Sequence, residues 1–266
     1  MQSMPPPHHQ LLRSRQHGVA LFVVIVFVML SMLLALWASR TSLFNELVVG
    51  NDADYQRAFE AAQTLLQDAE LDIRRENPDG SPCTSANCRD KISGAALIPL
   101  DTAEITPLLA DLDTQTTKCR TGLCAKRSGR QDFWKYTSTT SPAPDNLQPG
   151  EVKLEDMTKP GIGARYGQYT GATKGSTSSP ANPILQWDNT TPDNEGGWYW
   201  IEVLPYDESS KNKDLIVPTA SAAGDSLLRL NLTPNVVYRI TALAFGRKPG
   251  TMAVLQQSYA RQMRKD

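Results

Sequence analysis

Residues 19–38 read VALFVVIVFVMLSMLLALWA, and this stretch decides the fold of the chain. Ser31 is its only polar side chain, and it contains no charged residue. Twenty residues at about 1.5 Å rise per residue span roughly 30 Å, which is the thickness of the hydrocarbon core of a bilayer. Because backbone polar groups must be satisfied internally in hydrocarbon, the stretch predicts one continuous membrane-length α-helix, Val19–Ala38.

The charges on either side of this stretch predict its orientation. Arg13 and Arg15 precede it without any acid, whereas Glu46, Asp52 and Asp54 follow it. Positive charge on short flanking segments favours the cytoplasmic side of a membrane. We therefore expect a single-pass protein whose N-terminus stays in the cytoplasm while the rest of the chain is exported.

Three interpretations of the apolar stretch are open. A cleaved secretory signal has a shorter apolar region followed by small residues, whereas Leu36 places a bulky side chain where such a site needs a small one. A plain membrane anchor leaves the end of the charged segment at Gly18 unexplained. The third interpretation is a cut between Gly18 and Val19 on the cytoplasmic side, which makes the apolar helix the new N-terminus. The sequence that follows favours the third.

Beyond residue 38 the chain turns polar but keeps a helical period. The apolar positions that share one face are Ala58, Phe59, Ala62, Leu65, Leu66, Ala69 and Ile73. The polar positions that we expect on the solvated side are Gln56, Arg57, Glu60, Gln63, Gln67, Asp68 and Asp72. The pair Gly50-Asn51 predicts a weak point or kink, and the turn signal Asn77–Gly80 predicts the end. Residues 39–77 are thus predicted to continue the helix and to pack on a globular domain.

Several of these features together resemble a known family. The basic leader (residues 1–18), the Gly18–Val19 junction, the apolar helix, Gly50–Asp52 and the AFEAA motif at 58–62 are similar to the N-terminal region of type IV pilus assembly proteins of the PilX kind, a group of minor pilins. The motifs YRITA at 238–242 and VLQQSY at 254–259 resemble the final strands of that group. The resemblance covers roughly residues 13–76 and 236–260, and the middle of the chain matches no family that we can name.

The resemblance implies a maturation pathway. In type IV pilins, prepilin peptidase cleaves after the glycine, here Gly18, and methylates the new N-terminus, here Val19. The helix then holds the subunit in the inner membrane, with the C-terminal domain in the periplasm, until the subunit enters a fibre at the cell surface. An apolar helix can exchange lipid for neighbouring helices at little desolvation cost.

The resemblance also implies partners, namely other minor pilins, the major pilin and prepilin peptidase. Val23, the fifth residue after the expected cut, stands where major pilins usually carry a glutamate. A valine in place of this glutamate favours a minor pilin of a priming or tip complex over the bulk fibre subunit. The alternatives are a minor pseudopilin of a type II secretion system and a tip-displayed adhesin or DNA-binding module.

The composition argues against an enzyme. All three histidines, His8, His9 and His17, lie in the leader, so cleavage after Gly18 leaves a chain without the commonest general base and metal ligand. The leader holds two basic and no acidic residues, so the mature chain carries a formal charge of −3. A near-neutral chain has no global attraction to nucleic acid or membrane surfaces. We predict no catalytic residues, no metal and no cofactor.

The four cysteines form two equally spaced pairs, Cys83/Cys88 and Cys119/Cys124. In an exported domain the default chemistry is disulfide formation, and zinc pairs are usually spaced more tightly. Four cysteines allow three connectivities, among which two small local loops are the simplest. The sequence does not choose among the three.

The exported globular domain is predicted to span residues 78–266. Residues 78–197 are poorly patterned and predict a loop-rich insertion, with a short helix at 101–112 in spite of Pro107 and exposed loops at 138–150 and 161–179. Three strands follow, at 198–204, 236–245 and 252–259. A helix followed by an antiparallel meander predicts an α+β, pilin-like fold, in which the amphipathic helix packs on an antiparallel β-sheet.

Two local features suggest ligands. A basic cluster without an acid is followed closely by aromatic residues: Lys118, Arg120, Lys126, Arg127 and Arg130, then Phe133, Trp134 and Tyr136. It fits either a solvated loop, which we favour, or a nucleic-acid site. Residues 188–195 form an oxygen-rich loop that fits either turn chemistry, which we favour, or a calcium site.

Overall fold

The computed structural model describes residues 17–137, 147–176, 178–205, 232 and 234–261. Its α-helices are α1 (His17–Arg74), α2 (Ile105–Asp113) and α3 (Leu154–Met157), and it has 3-10 turns at Arg89–Lys91, Thr102–Glu104 and Phe133–Lys135. Its strands are β1 (Cys119–Arg120), β2 (Leu123–Cys124), β3 (Ala164–Arg165), β4 (Gly175–Ser176), β5 (Ser179–Pro180), β6 (Gly197–Pro205), β7 (Val236–Phe245) and β8 (Met252–Tyr259). Leader residues 1–16 and most of the predicted loop at 138–150 lie outside the described residues.

The helix α1 confirms the prediction of a single long N-terminal helix. It runs through Gly50-Asn51, where the chain divides into two compact units, residues 1–50 and 51–266. It ends at Arg74 because Arg75 adopts a left-handed conformation with a φ of 58°. The Glu76 N–H then donates to the Leu71 carbonyl and the Arg75 N–H to the Asp72 carbonyl, which is a Schellman cap.

The second unit is built on a six-stranded sheet with the order β1-β2-β6-β7-β8, in which β3 also pairs with β6. The three predicted strands are present, and β6–β7 and β7–β8 are antiparallel. The sheet is nevertheless mixed, because β2 runs parallel to β6. The segment predicted as a loop at 161–179 contains β3, which belongs to this sheet. It also contains β4 and the start of β5, which pair in a separate two-stranded sheet. Strands of two residues show no period, which is why the sequence did not predict them.

The predicted apolar face of α1 packs on one side of this sheet. Its residues Ala58, Ala62, Leu65, Leu66, Ala69 and Ile73 belong to one buried cluster with Val236, Tyr238, Ile240, Ala242 and Ala244 of β7. The prediction for the opposite side of the helix holds for five residues and is wrong for two. Asp68 and Asp72 are each only 1% exposed, because polar groups from loops cover them.

The middle region covers the other face of the sheet. Some of its buried side chains form a second cluster with β6 and β7, including Phe133, Leu154, Met157, Trp198, Trp200 and Leu243. Residues 78–197 are rich in irregular structure, as predicted, yet they supply six of the nine buried residues of this second cluster and ten of the 26 in the first. The short helix predicted at 101–112 is also confirmed, as α2. It tolerates Pro107 because this is its third residue, where a backbone N–H has no partner within the helix.

Candidate functional site

The first unit presents an apolar helical segment whose side chains are exposed on all sides. Exposure is 70% at Val19 and 71% at Trp37, and the large apolar side chains between them are also exposed. The hydroxyl of Ser31 donates to the carbonyl of Phe27 at 2.8 Å, so the one polar side chain is satisfied within the helix. Among the described residues, α1 is the one helix long and apolar enough to span a membrane. Such a surface requires lipid or other apolar helices around it.

The expected processing junction lies at the start of this helix. Since α1 begins at His17, Gly18 and Val19 belong to its first turn. The rest of the leader, with Arg13 and Arg15, lies outside the described residues. Cleavage after Gly18 therefore stays a prediction.

A buried ion pair that the sequence did not predict joins α1 to the middle region. The Arg89 Nε donates to Asp72 Oδ1 at 2.7 Å, Arg89 Nη2 donates to Asp72 Oδ2, and Tyr199 Oη donates to Asp72 Oδ2 at 2.9 Å. Arg89 Nη1 reaches the carbonyl oxygens of Ala96 and Thr121, at 3.0 and 2.8 Å. Burial lowers the pKa of Arg89, but the charge of Asp72, its hydrogen bond and the nearby Tyr199 and Tyr169 together outweigh burial, so the net pKa is raised. This network fixes an irregular loop onto the helix.

Asp68, one helical turn before Asp72, makes a second polar contact. It accepts a hydrogen bond from the Gly167 N–H at 2.8 Å and another from the Thr170 hydroxyl. Burial raises the pKa of Asp68 to about 7, against the opposing effect of these two hydrogen bonds. The only sequence signal for both contacts was a pair of acids four residues apart beside the apolar stripe.

The structure pairs Cys83 with Cys88 and Cys119 with Cys124, which gives two local loops. Cys88 forms a backbone bridge with Thr170 and directly precedes Arg89. The first disulfide therefore anchors the turn that brings Arg89 to Asp72, and the bridge to Thr170 joins this turn to the separate loop that reaches Asp68. The second lies across the β1–β2 ladder, where Cys119 and Cys124 are partners in register.

The basic cluster does not form a continuous positive surface. Three of its members pair with aspartates: Lys118 with Asp113 at 3.0 Å, Arg120 with Asp111 at 2.5 Å and Arg130 with Asp132 at 3.3 Å. Arg127 is buried, with its guanidinium carbon 5.0 Å from the centre of the Phe133 ring. The aromatic Phe133 belongs to the core and is unavailable for base stacking. This geometry favours the interpretation as a paired surface loop.

The oxygen-rich loop at 188–195 is occupied by its own turn contacts. Asp188 Oδ1 accepts hydrogen bonds from the backbone and hydroxyl of Thr190, at 2.8 and 2.6 Å. The carbonyl oxygens of Pro192 and Glu195 accept hydrogen bonds from Arg165. In the part of the chain that the structure describes, no group of three or more His, Cys, Asp or Glu side chains is arranged to hold a metal ion.

Comparison with known families gives two matches. Residues 17–67 match the family model described as PilX N-terminal, and residues 120–261 match the model described as type IV pilus assembly protein PilX C-term. The second match begins well before residue 236, so it includes the strands β2 to β8 and every buried residue of the second core cluster except Cys119. Neither the curated proteins nor the solved structures contain a significant match.

Proposed function

Because this chain belongs to the PilX family of type IV pilus assembly proteins, we propose that it acts as a minor pilin in a priming or tip complex. In this proposal it works by assembly and catalyses no reaction. Its partners are other minor pilins and the major pilin. Val23 supports a minor rather than a major role, since that position lacks the glutamate expected by resemblance in the bulk fibre subunit.

The observation that carries the proposal is the apolar segment of α1. Its side chains are exposed around the whole circumference, and the second unit buries a core of its own. A segment of this kind is stable in lipid and equally stable in a bundle of similar helices. In this proposal the apolar segment first lies in the inner membrane, with the second unit in the periplasm, and later packs among other helices in the fibre.

Maturation by prepilin peptidase after Gly18 is part of the proposal. The measurement that tests it is the N-terminal mass of the full chain, purified from its native membrane with and without the peptidase. We expect a chain that begins at methylated Val19 only when the peptidase is present. A chain that still begins at Met1, or that is cut after Ala38, would overturn the pilin pathway.

Two matched variants separate the possible cleavage events. Gly18→Glu places a bulky charge next to the expected cut and should leave the leader attached. Ala38→Leu changes the site that a secretory signal would use. The mature chain should still begin at Val19, with only the mass difference of the substituted side chain. The reverse pattern would identify an ordinary secreted protein.

A further inference from the structure

Two arginines and one glutamate lie near one another on the face of the sheet opposite α1. Glu202 of β6 and Arg239 of β7 are partners in register, and Arg239 Nε and Nη2 both contact Glu202 Oε2. Arg127 approaches them from the segment after β2, because Gln131 donates to the Arg127 carbonyl at 2.9 Å and accepts from Arg239 Nη2 at 3.2 Å. Gln131 thus holds the backbone of one arginine next to the guanidinium of the other.

Arg127 lacks an acidic hydrogen-bond partner among the described residues. Its side chain is buried, with 6% exposure for the residue, and its one hydrogen bond from the guanidinium there is to Cys119 Sγ at 3.6 Å. The Nε of Arg127 and the Oε1 of Glu202 are both buried without a hydrogen-bond partner. Two cations and one anion therefore occupy a mostly buried position.

An unbalanced buried charge is unfavourable. A charged group removed from water costs free energy unless an opposite charge compensates it, and among the described residues this cluster has one positive charge in excess. Burial also lowers the pKa of Arg127, and the nearby charge of Arg239 acts in the same direction, although Glu202 opposes both. A second carboxylate would balance the cluster.

We propose that Arg127 and Arg239 form a binding site for a carboxylate side chain of a neighbouring pilus subunit, an inference that rests on the proposed function. The Arg239 side chain is 30% exposed, so the site opens to solvent on its side. A guanidinium binds a carboxylate through two parallel hydrogen bonds, which gives direction as well as affinity.

The test compares the stability of the free subunit with its incorporation into fibres. In the full chain in detergent, Arg127→Met removes a buried cation without leaving an anion unpaired, so we expect a Tm equal to or above that of the wild type. In fibres sheared from cells, we expect roughly tenfold fewer copies of the variant, because its partner's carboxylate loses its cation. The matched control Lys126→Met removes an exposed charge from the adjacent residue and should change neither quantity substantially.

A second variant and a small probe make the interpretation specific. Arg127→Lys keeps the charge but loses the paired donors, and its incorporation should fall between those of the wild type and Arg127→Met. Sodium acetate, compared with sodium chloride at equal ionic strength, should raise the Tm of the wild type and not that of Arg127→Met.

Each contrary result has a separate meaning. Arg127→Met could have a lower Tm, with its incorporation into fibres falling only as far as the loss of folded subunit explains. That result would make Arg127 a structural residue and overturn the site. Equal incorporation of Arg127→Met and wild type would overturn the site while leaving the proposed function intact. A wild-type chain absent from fibres would overturn the proposed function and, with it, the partner. Binding of duplex DNA that depends on Arg127 would replace the protein partner with a nucleic acid.

Discussion

At the residue scale, the ion pair between Asp72 and Arg89 links the second half of α1 to an irregular loop. The two side chains are 0% and 4% exposed, so each charge depends on the other for compensation. We expect Arg89→Met to lower the free energy of unfolding by about 3–5 kcal/mol, because it leaves a carboxylate buried without its cation. Chemical denaturation of the full chain in detergent measures this.

The double variant Asp72→Asn with Arg89→Met should recover part of the loss, since it removes both charges together. Arg57→Met, on the exposed side of the same helix, is the matched control and should stay within about 0.5 kcal/mol of the wild type. Additive losses in the double variant would show that the two residues act independently.

Asp68 gives the fold a dependence on pH. Its pKa is raised from the ordinary 3.8 to about 7, chiefly by burial, so the folded chain binds this proton more tightly than the unfolded chain does. The stability that this group contributes is therefore present at low pH and is lost as the pH rises from about 4 to about 7. By linkage the loss is about 4 kcal/mol at most, a value in which the opposing hydrogen bonds from Gly167 and Thr170 are already included.

The measurement is the free energy of unfolding at pH 5 and pH 8. We expect the wild type to be less stable at pH 8 and Asp68→Asn to remove most of that difference. Glu60→Gln, which changes an exposed acid on the same helix, should leave the difference unchanged. If the difference in the free energy of unfolding between pH 5 and pH 8 persists in Asp68→Asn, the pH dependence belongs to another group.

These buried acids show the limit of sequence-based reasoning at this scale. Helical periodicity places Asp68 and Asp72 at the border of the apolar stripe, where either burial or exposure fits the pattern. Their partners Thr170 and Arg89 lie 102 and 17 residues away in the sequence. Local pattern contains no information about such distant contacts, so the sequence could not reveal that the two acids are covered.

At the scale of elements, length separates what could be predicted from what could not. The helix α1 and the strands β6, β7 and β8 are long enough to show their periods, and all four were predicted. The strands β1, β2 and β3 have two residues each, and their positions follow from pairing with one another and with β6. The pairing of β2 and β3 with β6 is a tertiary effect, as is the parallel direction of β2, whereas β1 and β2 form a local hairpin across Thr121 and Gly122.

The two disulfide loops allow a comparison at equal loop length. Both bonds join cysteines five positions apart, so chain entropy assigns each the same stabilisation of about 2 kcal/mol. Cys119 and Cys124 are both buried in the second core cluster, whereas Cys83 is half-buried. Replacing Cys119 and Cys124 together by alanine should therefore cost more than replacing Cys83 and Cys88, because core packing is lost as well.

Urea midpoints of the two double-alanine variants, measured on the full chain without reductant, check this order. Arg89 should help to keep the first loop in place, since it retains its contacts with Asp72 and two carbonyl oxygens. A larger loss for the Cys83 and Cys88 variant would mean that the first disulfide, rather than Arg89, holds the loop.

At the scale of the whole molecule, the chain contains two units with different requirements for solvent. The second unit buries its apolar side chains on both faces of one sheet, whereas the apolar residues of the first are exposed and have no packing partner among the residues that the structure describes. The sequence predicted this division because an uninterrupted apolar run and an amphipathic period are distinct signals in a single helix. It did not predict that the middle region covers a face of the sheet, since those apolar residues follow no period.

The division predicts that a charge in the apolar segment affects assembly and leaves the second unit stable. Leu33→Asp places a carboxylate near the middle of the segment, at a cost of about 2.5–3.5 kcal/mol for insertion into a bilayer. We expect it to reduce the fraction of the chain in membranes and in sheared fibres. Ser31→Ala is the matched control, because the Ser31 hydroxyl is already bonded to the Phe27 carbonyl and its removal exposes no polar group. The thermal transition of the second unit should be the same in both variants. Equal incorporation of Leu33→Asp and wild type would contradict a role for this segment in the membrane and the fibre core.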